Sequence, residues 1–538
     1  MSCPIPTLDG IEYRVKPPPI APMIGLLGLQ EKGFIGWTVW LLGLAVAGAA
    51  LNCLYNLFLH PLHDFPGPKV WGASHLPYTI SWLSGHAGSD IARLHDRYGD
   101  VVRVAPHRLS FTHPEAWNEI RGHRKAGEGE NGKDPHFYMF SQKNLLGANR
   151  ENHSRFRRAL ASGFSAKSIQ GQQPLIRQYV DLLINRLRAL TTAETQERTS
   201  RVVDIVAWFN FATFDVIGDL AFGEPFGCLA ESTYHPWVSI IFDAVSQFHT
   251  IMAIRWHAPG ALHLMRTLMG SRLGRPQVMQ TAYATQQIDK RLAVESDRPD
   301  FIGSMIKAET EAGEKSITRE EVVQNARLLV IAGSETTATA LSAAAYFLIV
   351  HQDVQKKLAD EVRSSFQTES EIDLFSVQKL KYLLAVLNES MRVMPPVPGS
   401  FPRVCQPGGD TICGWRVPGG TGLDIWPLAV FRSARNFVDP DSFIPERWLD
   451  DGARDERFRQ DKRSAFQPFS VGPRNCIGKN LAHVEMRLIL ARLAWNFDLE
   501  PADDGVKNWL KKCGNFHLWL KGPLDVRLTP VDRTGTTR

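Results

Sequence analysis

The sequence predicts a mainly α-helical body with a smaller β part, preceded by one N-terminal transmembrane helix. Three observations predict this. Gly33–Leu59 form an unbroken run without a charged side chain. Apolar residues recur at helical spacing through the middle of the chain, most clearly from about residue 319 to 350. Short extended segments, Val101–Val104 and Leu109–Thr112, follow the uncharged run, and mixed strands and turns return after Pro395.

The uncharged run comes first. About 20 apolar residues cross a bilayer core of about 30 Å, and Gly33–Leu59 exceed that length. Trp37, Trp40 and Tyr55 sit toward its ends, where amphipathic rings prefer the interface. A cleaved signal peptide would lie at the very N-terminus with a shorter apolar core. A buried core helix would carry polar residues on one face, whereas Ile35–Leu51 is apolar nearly all round. A membrane anchor is therefore the expectation. Arg14, Lys16 and Lys32 precede the run and Lys69 follows it, so charge bias assigns no orientation. His60-Pro61-Leu62 and Phe65-Pro66-Gly67-Pro68 then stop the helix and form a stiff hinge. The chain divides into an N-terminal segment (1–32), the anchor (33–59) and one soluble body (60–538).

Composition narrows the class. Hydrophobic residues make up 44% and charged residues 22%, enough for a large core. A net charge of +5 over 538 residues, with no dense Lys/Arg stripe, argues against a nucleic-acid partner. The 7 cysteines are scattered, odd in number and never spaced C-x-x-C. That argues against a disulfide framework and a structural zinc site, and for a reducing compartment.

Some patterns are decoys. Gly127-Glu128-Gly129-Glu130-Asn131-Gly132 matches G-x-G-x-x-G, but it lies in the loop Lys125–Lys133 with no strand before it and Asp134-Pro135 after it. Asn152-His153-Ser154 and Asn388-Glu389-Ser390 match the glycosylation sequon, yet both fall in segments with other work.

One cysteine stands apart. Glycines and a proline wrap Phe469-Ser470-Val471-Gly472-Pro473-Arg474-Asn475-Cys476-Ile477-Gly478, and a helical pattern starts directly behind it. Cys476 is thus placed at a helix N-terminus, where amide N–H groups favour a thiolate. A thiolate can bind iron and push electron density toward it. Arg474 is placed to pair with an anionic propionate, and Phe469 to shield the sulfur. A buried structural cysteine is the ordinary fate of a lone Cys, and the loop alone does not exclude it.

Phe469, Gly472, Arg474, Cys476 and Gly478 fall on F-x-x-G-x-R-x-C-x-G, the haem-binding signature of the cytochromes P450. The chain resembles that family from about residue 60 to 530. The resemblance implies the cytochrome P450 fold. It implies haem b (iron protoporphyrin IX with an axial thiolate) as cofactor, and Cys476 as the fifth ligand of its iron.

Further matches follow in the family's order. Thr318-Arg319-Glu320-Glu321 is a capping box that opens the long central helix. In its middle stands Ala332-Gly333-Ser334-Glu335-Thr336-Thr337. The plain reading is a glycine kink with polar residues at the surface. Alternatively, the Thr336 hydroxyl bonds the Ala332 carbonyl and opens the helix. The segment resembles the family's A-G-x-E/D-T-T, which implies that Thr336 supports iron-bound oxygen and that Glu335 delivers protons. Glu389-Ser390-Met391-Arg392 places acid and base on one helix face. With Phe443-Ile444-Pro445-Glu446-Arg447-Trp448 it resembles E-x-x-R and P-E-R-F, Trp replacing the last Phe, which implies a buried structural network of Glu389, Arg392 and Arg447. His153-Ser154-Arg155-Phe156-Arg157 resembles W-x-x-x-R with His153 in the tryptophan place. The resemblance implies propionate contacts from Arg157, Arg403 and His153.

The expected reaction inserts one oxygen atom into an apolar small molecule, with electrons from an NADPH-dependent flavoprotein reductase, because the chain itself holds no flavin or nucleotide site. Lys462, Arg463, Lys479 and Arg487 flank the cysteine loop as a basic patch for that partner, or as plain solvated charge. A haem-thiolate isomerase or dehydratase, and a haem-bearing binder or sensor, stay open beside the monooxygenase. The segment Phe214–Gly223 looks like fungal members that tailor secondary metabolites. The resemblance places the chain in the endoplasmic reticulum membrane, its body facing the cytosol. Phe137–Leu146, Trp237–Met265 and Val397–Phe401 are the expected pocket-lining stretches; Ile240–Trp256 reads first as core.

Overall fold

The computed structural model describes residues 24–124, 129–138, 142–192, 202–257, 267, 275–294, 298, 300–305, 317–450 and 455–531. Residues 1–23, Gly127, residues 139–141 of the first lining stretch and 258–265 of Trp237–Met265 lie outside them, as do the side chains of 240–249.

The helices that build the site are, in chain order, α1 (Ile24–Phe58), α2 (Arg150–Ala161), α3 (Ala166–Thr192), α4 (Ile205–Phe222), α5 (Arg319–Val350), α6 (Lys381–Val393) and α7 (Lys479–Asn496). The β part is small. β1 (Val101–Ala105), β2 (Arg108–Phe111), β8 (Gly422–Asp424), β5 (Arg403–Val404) and β3 (Gly132–Lys133) form one sheet in the order β1-β2-β8-β5-β3. Only β2 and β8 run parallel in it, with Leu109 opposite Leu423. β4 (Val202–Asp204), β12 (Asp525–Pro530) and β9 (Phe497–Pro501) form a second sheet, while β6 (Asp410–Ile412) with β7 (Trp415–Val417) and β10 (Gly514–Asn515) with β11 (Trp519–Leu520) form two short hairpins.

Among the described residues, Gly36–Phe58, Ile205–Phe222 and Arg319–Val350 are long and apolar enough to cross a membrane. Burial separates them: 94% of the apolar window in α4 and 72% of that in α5 are covered by the chain, but 6% of that in α1. A helix apolar all round is either a core helix or a membrane span. α4 and α5 are the first kind; they pack on each other at the centre of the body. Gly333 lets them approach, since a Cβ there would stand 2.8 Å from Ile217 Cδ1.

α5 begins where the capping box predicts. Thr318 Oγ1 accepts from Glu321 N–H at 3.3 Å, and Glu321 Oε2 accepts from Thr318 N–H at 2.8 Å. Arg155 of α2 clamps the same carboxylate at 2.6 and 2.8 Å.

The hinge behind α1 is bolted to the body. Asn56 donates its side-chain amide to Ala73 O at 2.9 Å, and buried Arg103 donates to Asn56 O at 2.9 Å and to Pro106 O. His60 Nε2 and His107 Nδ1 share a hydrogen bond at 2.8 Å.

Candidate active site

The cysteine loop is held from three directions. Cys476 N–H closes it onto Phe469 O at 2.9 Å. Gly472 has φ +78°, and a Cβ there would fall 1.9 Å from Arg121 O, so no other residue fits. Arg157 of α2 spends its guanidinium on Asn475, 2.6 Å to the backbone oxygen and 2.6 Å to the side chain. It therefore braces the loop that carries Cys476. The Cys476 side chain has open surface while its loop neighbours are mostly half-buried. Burial pushes its thiol up, and the Gly478 N–H, Arg157 and Lys479 pull it down. The thiol is thus accessible in surroundings that oppose its ionisation. α7 starts at Lys479, two residues past the cysteine's neighbour Ile477, as the pattern predicts. The Phe469 ring packs 5.0 Å from that of His483, which burial pushes down to about 4.

α5 runs uninterrupted from Arg319 to Val350, but its burial lapses at one stretch. Ser334, Glu335 and Thr337 to Ile349 are buried, yet Ala332 is exposed and Gly333 and Thr336 half-buried. Thr336 donates its hydroxyl to Ala332 O at 2.6 Å, the bond expected from the sequence. α5 and α7 are tied beside this point. Glu485 of α7 is pushed up to about 8 by burial, and the Thr337 hydroxyl pulls it down. Glu335 is buried and paired with Lys521.

Between these elements lies a cage of cations. Arg474 donates to Ala148 O at 3.2 Å and to Glu130 Oε1 at 3.0 Å. Arg403, on β5, is 7% exposed, and its buried Nε has no partner. His153 is buried and pushed down to about 3 by burial and by Arg474, Lys133 and Arg157. Arg121 and Lys133 complete the cage and were missed by sequence reasoning. Arg121 donates to Phe401 O at 2.9 Å while its Nε stays unpartnered; burial and Arg403 push it down to about 10. Lys133 donates to Leu146 O at 2.5 Å and Ala148 O at 2.7 Å, and burial with Arg474 and Arg403 pushes it down to about 6. Neither residue stands in a local pattern; Lys133 reads only as the end of a loop.

The structural network is complete. Glu389 and Arg392 are 0% exposed and Arg447 1%. Arg392 pairs with both Glu389 oxygens at 2.8 Å, Arg447 Nε reaches Glu389 at 3.0 Å, and Arg447 Nη1 reaches Asp461 at 2.6 Å. Trp448 earns its place: its Nε1 donates to Glu389 Oε2 at 2.8 Å, which a phenylalanine could not do. Asn388-Glu389-Ser390 lies inside α6, where Glu389 and Ser390 are buried. Arg463 turns inward, donating to the Arg447 and Leu449 carbonyls, so it does not belong to a surface basic patch.

The donor set fits a flat dianionic group that carries a metal with affinity for sulfur. Orphaned guanidinium nitrogens and repelling cations call for two carboxylates. A lone accessible cysteine calls for a soft or borderline metal. Together with the helical fold they define a haem-thiolate enzyme.

Comparison agrees. The cytochrome P450 family model matches residues 66–523. The chain is 43% identical over 491 residues to trichothecene C-15 hydroxylase of Fusarium sporotrichioides, covering 91% of this chain and 97% of that one. It is 44% identical over 487 residues to averantin hydroxylase of Dothistroma septosporum, covering 88% of each. It is 41% identical over 501 residues to the cytochrome P450 monooxygenase astJ of Aspergillus oryzae, covering 92% and 95%. The chain belongs to the cytochrome P450 family and is a monooxygenase of it.

Proposed function

We propose that this chain is a membrane-anchored fungal monooxygenase that tailors an apolar secondary metabolite, with haem b held by Cys476. The observation that carries this is an accessible cysteine in the loop before α7 together with the partly exposed Ala332–Thr336 stretch of α5, a helix joined to α7 through Thr337 and Glu485. Haem iron on a thiolate supplies the reductive activation of dioxygen. The chain's residues do the rest. Arg121, Lys133, Arg403 and Arg474, with neutral His153, hold the propionates; Arg157 fixes the loop. Phe469 and His483 keep water from the sulfur. The Thr336 hydroxyl and the Glu335 carboxyl handle protons on the other side. Electrons come from an NADPH-dependent flavoprotein reductase.

The test uses the full chain loaded with haem, a flavoprotein reductase, NADPH and labelled dioxygen, with averantin or a trichothecene as probe. One labelled atom in the product supports the proposal. Conversion without label would place the chain with the haem-thiolate isomerases and dehydratases.

Haem loading will take up a proton at pH 8. Lys133 is pushed down to about 6, so it is mostly neutral there. Two propionates return it toward the ordinary value of about 10.4. Between those values the loaded form binds more protons, so loading tightens as pH falls through the window. Titration of stripped protein with haem in weak buffer, read by a pH indicator, checks this; Lys133→Met should abolish the uptake.

The bare apolar surface of α1 supports a division into an N-terminal segment (1–32), a single membrane anchor (33–59) and a catalytic body (60–538). The body faces the cytosol from the endoplasmic reticulum, which suits the free cysteines among the described residues. After an alkaline carbonate wash the full chain will stay with the membrane pellet. A chain lacking residues 1–54, which spares the Asn56 joint, will leave it; retention of that shorter chain would count against the anchor.

A further inference from the structure

Asn325 of α5 is 0% exposed and grips the segment that leads into α2. Its Oδ1 accepts from Leu145 N–H at 2.9 Å. Its Nδ2 donates to Lys143 O at 3.3 Å and, one turn back on its own helix, to Glu321 O at 2.8 Å. From the other side Lys133 of the cation cage donates to Leu146 O and Ala148 O, and Arg474 donates to Ala148 O. Asn144 folds the segment on itself, accepting from Gly147 N–H on its side chain and from Ala148 N–H on its carbonyl. Lys143–Ala148 is thus a strap stretched between α5 and the cage. Leu145 packs on the main core, and Leu146 on the aromatic cluster of Tyr78, Trp82 and Phe137. Asn325 stands about three turns before Thr336, which puts the two on one face of α5 with Leu329 and Ala332 between them. The strap therefore crosses the same helix face that carries the partly exposed Ala332–Thr336 stretch.

We propose that Asn325 is a positioning residue that sets which substrates fit, by holding Lys143–Ala148 as a fixed wall of the substrate space. A carboxamide accepts from an N–H and donates to a carbonyl of one loop at once, which neither a carboxylate nor an aliphatic side chain can do. A wall held in advance costs a ligand nothing to order. An unheld wall lowers the competent fraction and weakens every ligand that touches it. The inference rests on the reading of Phe137–Leu146 as a lining of the substrate space and of Cys476 as the ligand of haem.

The test compares N325L, N325A and E320Q with wild type, as full chains loaded with haem. N325L keeps the shape of the side chain and removes its three bonds. Amide hydrogen exchange over Lys143–Ala148 should quicken by about tenfold in N325L. Imidazole, too small to reach the walls, should bind N325L as it binds wild type, read by the shift of the haem absorption band. Clotrimazole, a bulky azole, should bind N325L about tenfold more weakly. Loss of haem with both azoles weakened alike would mean a merely structural role and overturn the proposal. Unchanged exchange would overturn the strap, and faster exchange with unchanged clotrimazole binding would overturn its control of specificity. E320Q breaks only the exposed Lys143–Glu320 pair and should match wild type; a change equal to that of N325L would overturn the assignment to Asn325. An absent azole shift in wild type would sink the haem reading itself, on which the exchange measurement does not depend. If N325L fails to fold, N325A, which adds no bulk, decides by the same two measurements.

Discussion

Cys476→Ala will abolish the thiolate-type, red-shifted carbon-monoxide band of the reduced protein, and turnover with it. No other cysteine among the described residues of the body can stand in. Burial pushes Cys228 and Cys413 up to about 12, and Cys405 and Cys513 up to about 11. Cys228, Cys405 and Cys513 are also closed off in the core, and Cys413 lies beside Glu119, which repels a thiolate. Cys476 is raised by burial too, but it is accessible, and the Gly478 N–H, Arg157 and Lys479 oppose the rise. A metal completes that trend, because binding deprotonates a thiol outright. The loop should survive the substitution, since its closing bonds run through backbone groups of Cys476 and Asn475 and not through the sulfur. Haem-binding by the alanine variant with an unchanged band would show that the sulfur is not the ligand.

Arg157→Met offers the graded companion to that experiment. It removes both bonds to Asn475 and leaves the cysteine in place. The band should persist while haem is lost faster, measured by transfer to a haem acceptor.

What the sequence revealed follows from range. The capping box, the Thr336–Ala332 bond and the closure of the cysteine loop join residues within a turn or two, so their spacing is readable in a line of letters. The Glu389–Arg392 pair is equally local, and only its third and fourth members, Arg447 and Asp461, required the resemblance or the fold. Lys521 lies 186 positions from Glu335 and sits in no pattern. Arg121 ends a short helix and Lys133 a charged loop, and each becomes a cage cation only when β3 is set against β5 and the helix end meets the cysteine loop. Apolarity was legible but ambiguous, because α1, α4 and α5 share it. Their partners, not their sequences, decide which is core. Basic residues misled in the other direction: Arg463 reads as surface charge, yet two carbonyls draw it inward.

Glu389→Ala will cost the fold much of its stability, with loss of haem as a consequence. Glu389, Arg392, Arg447 and Asp461 are two acids and two bases, each 0 or 1% exposed at its side chain, so the set is neutral and wholly desolvated. Removing the central acid strands two guanidinium groups without their counter-charge and leaves the Ile444 N–H and Trp448 Nε1 without acceptors. Breaking a buried pair on one side costs about 3–5 kcal/mol, and each orphaned donor about 1–3 kcal/mol more. The loss rivals the whole stability of an ordinary fold, about 5–15 kcal/mol. Arg392 also donates to the carbonyls of Phe431, Pro440 and Ser442, so the segment leading to Arg447 loses its fixed point at the same time. The measurement is thermal unfolding beside haem content for Glu389→Ala, Glu389→Gln and Lys357→Met. Glu389→Gln keeps the shape and one acceptor and should lose less than Glu389→Ala. Lys357→Met breaks only a half-exposed pair with Glu446 and should shift stability by less than about 1 kcal/mol. A network that merely decorated the surface would give all three variants the same small shift; the ordering alanine, glutamine, then methionine is the signature of desolvated charge.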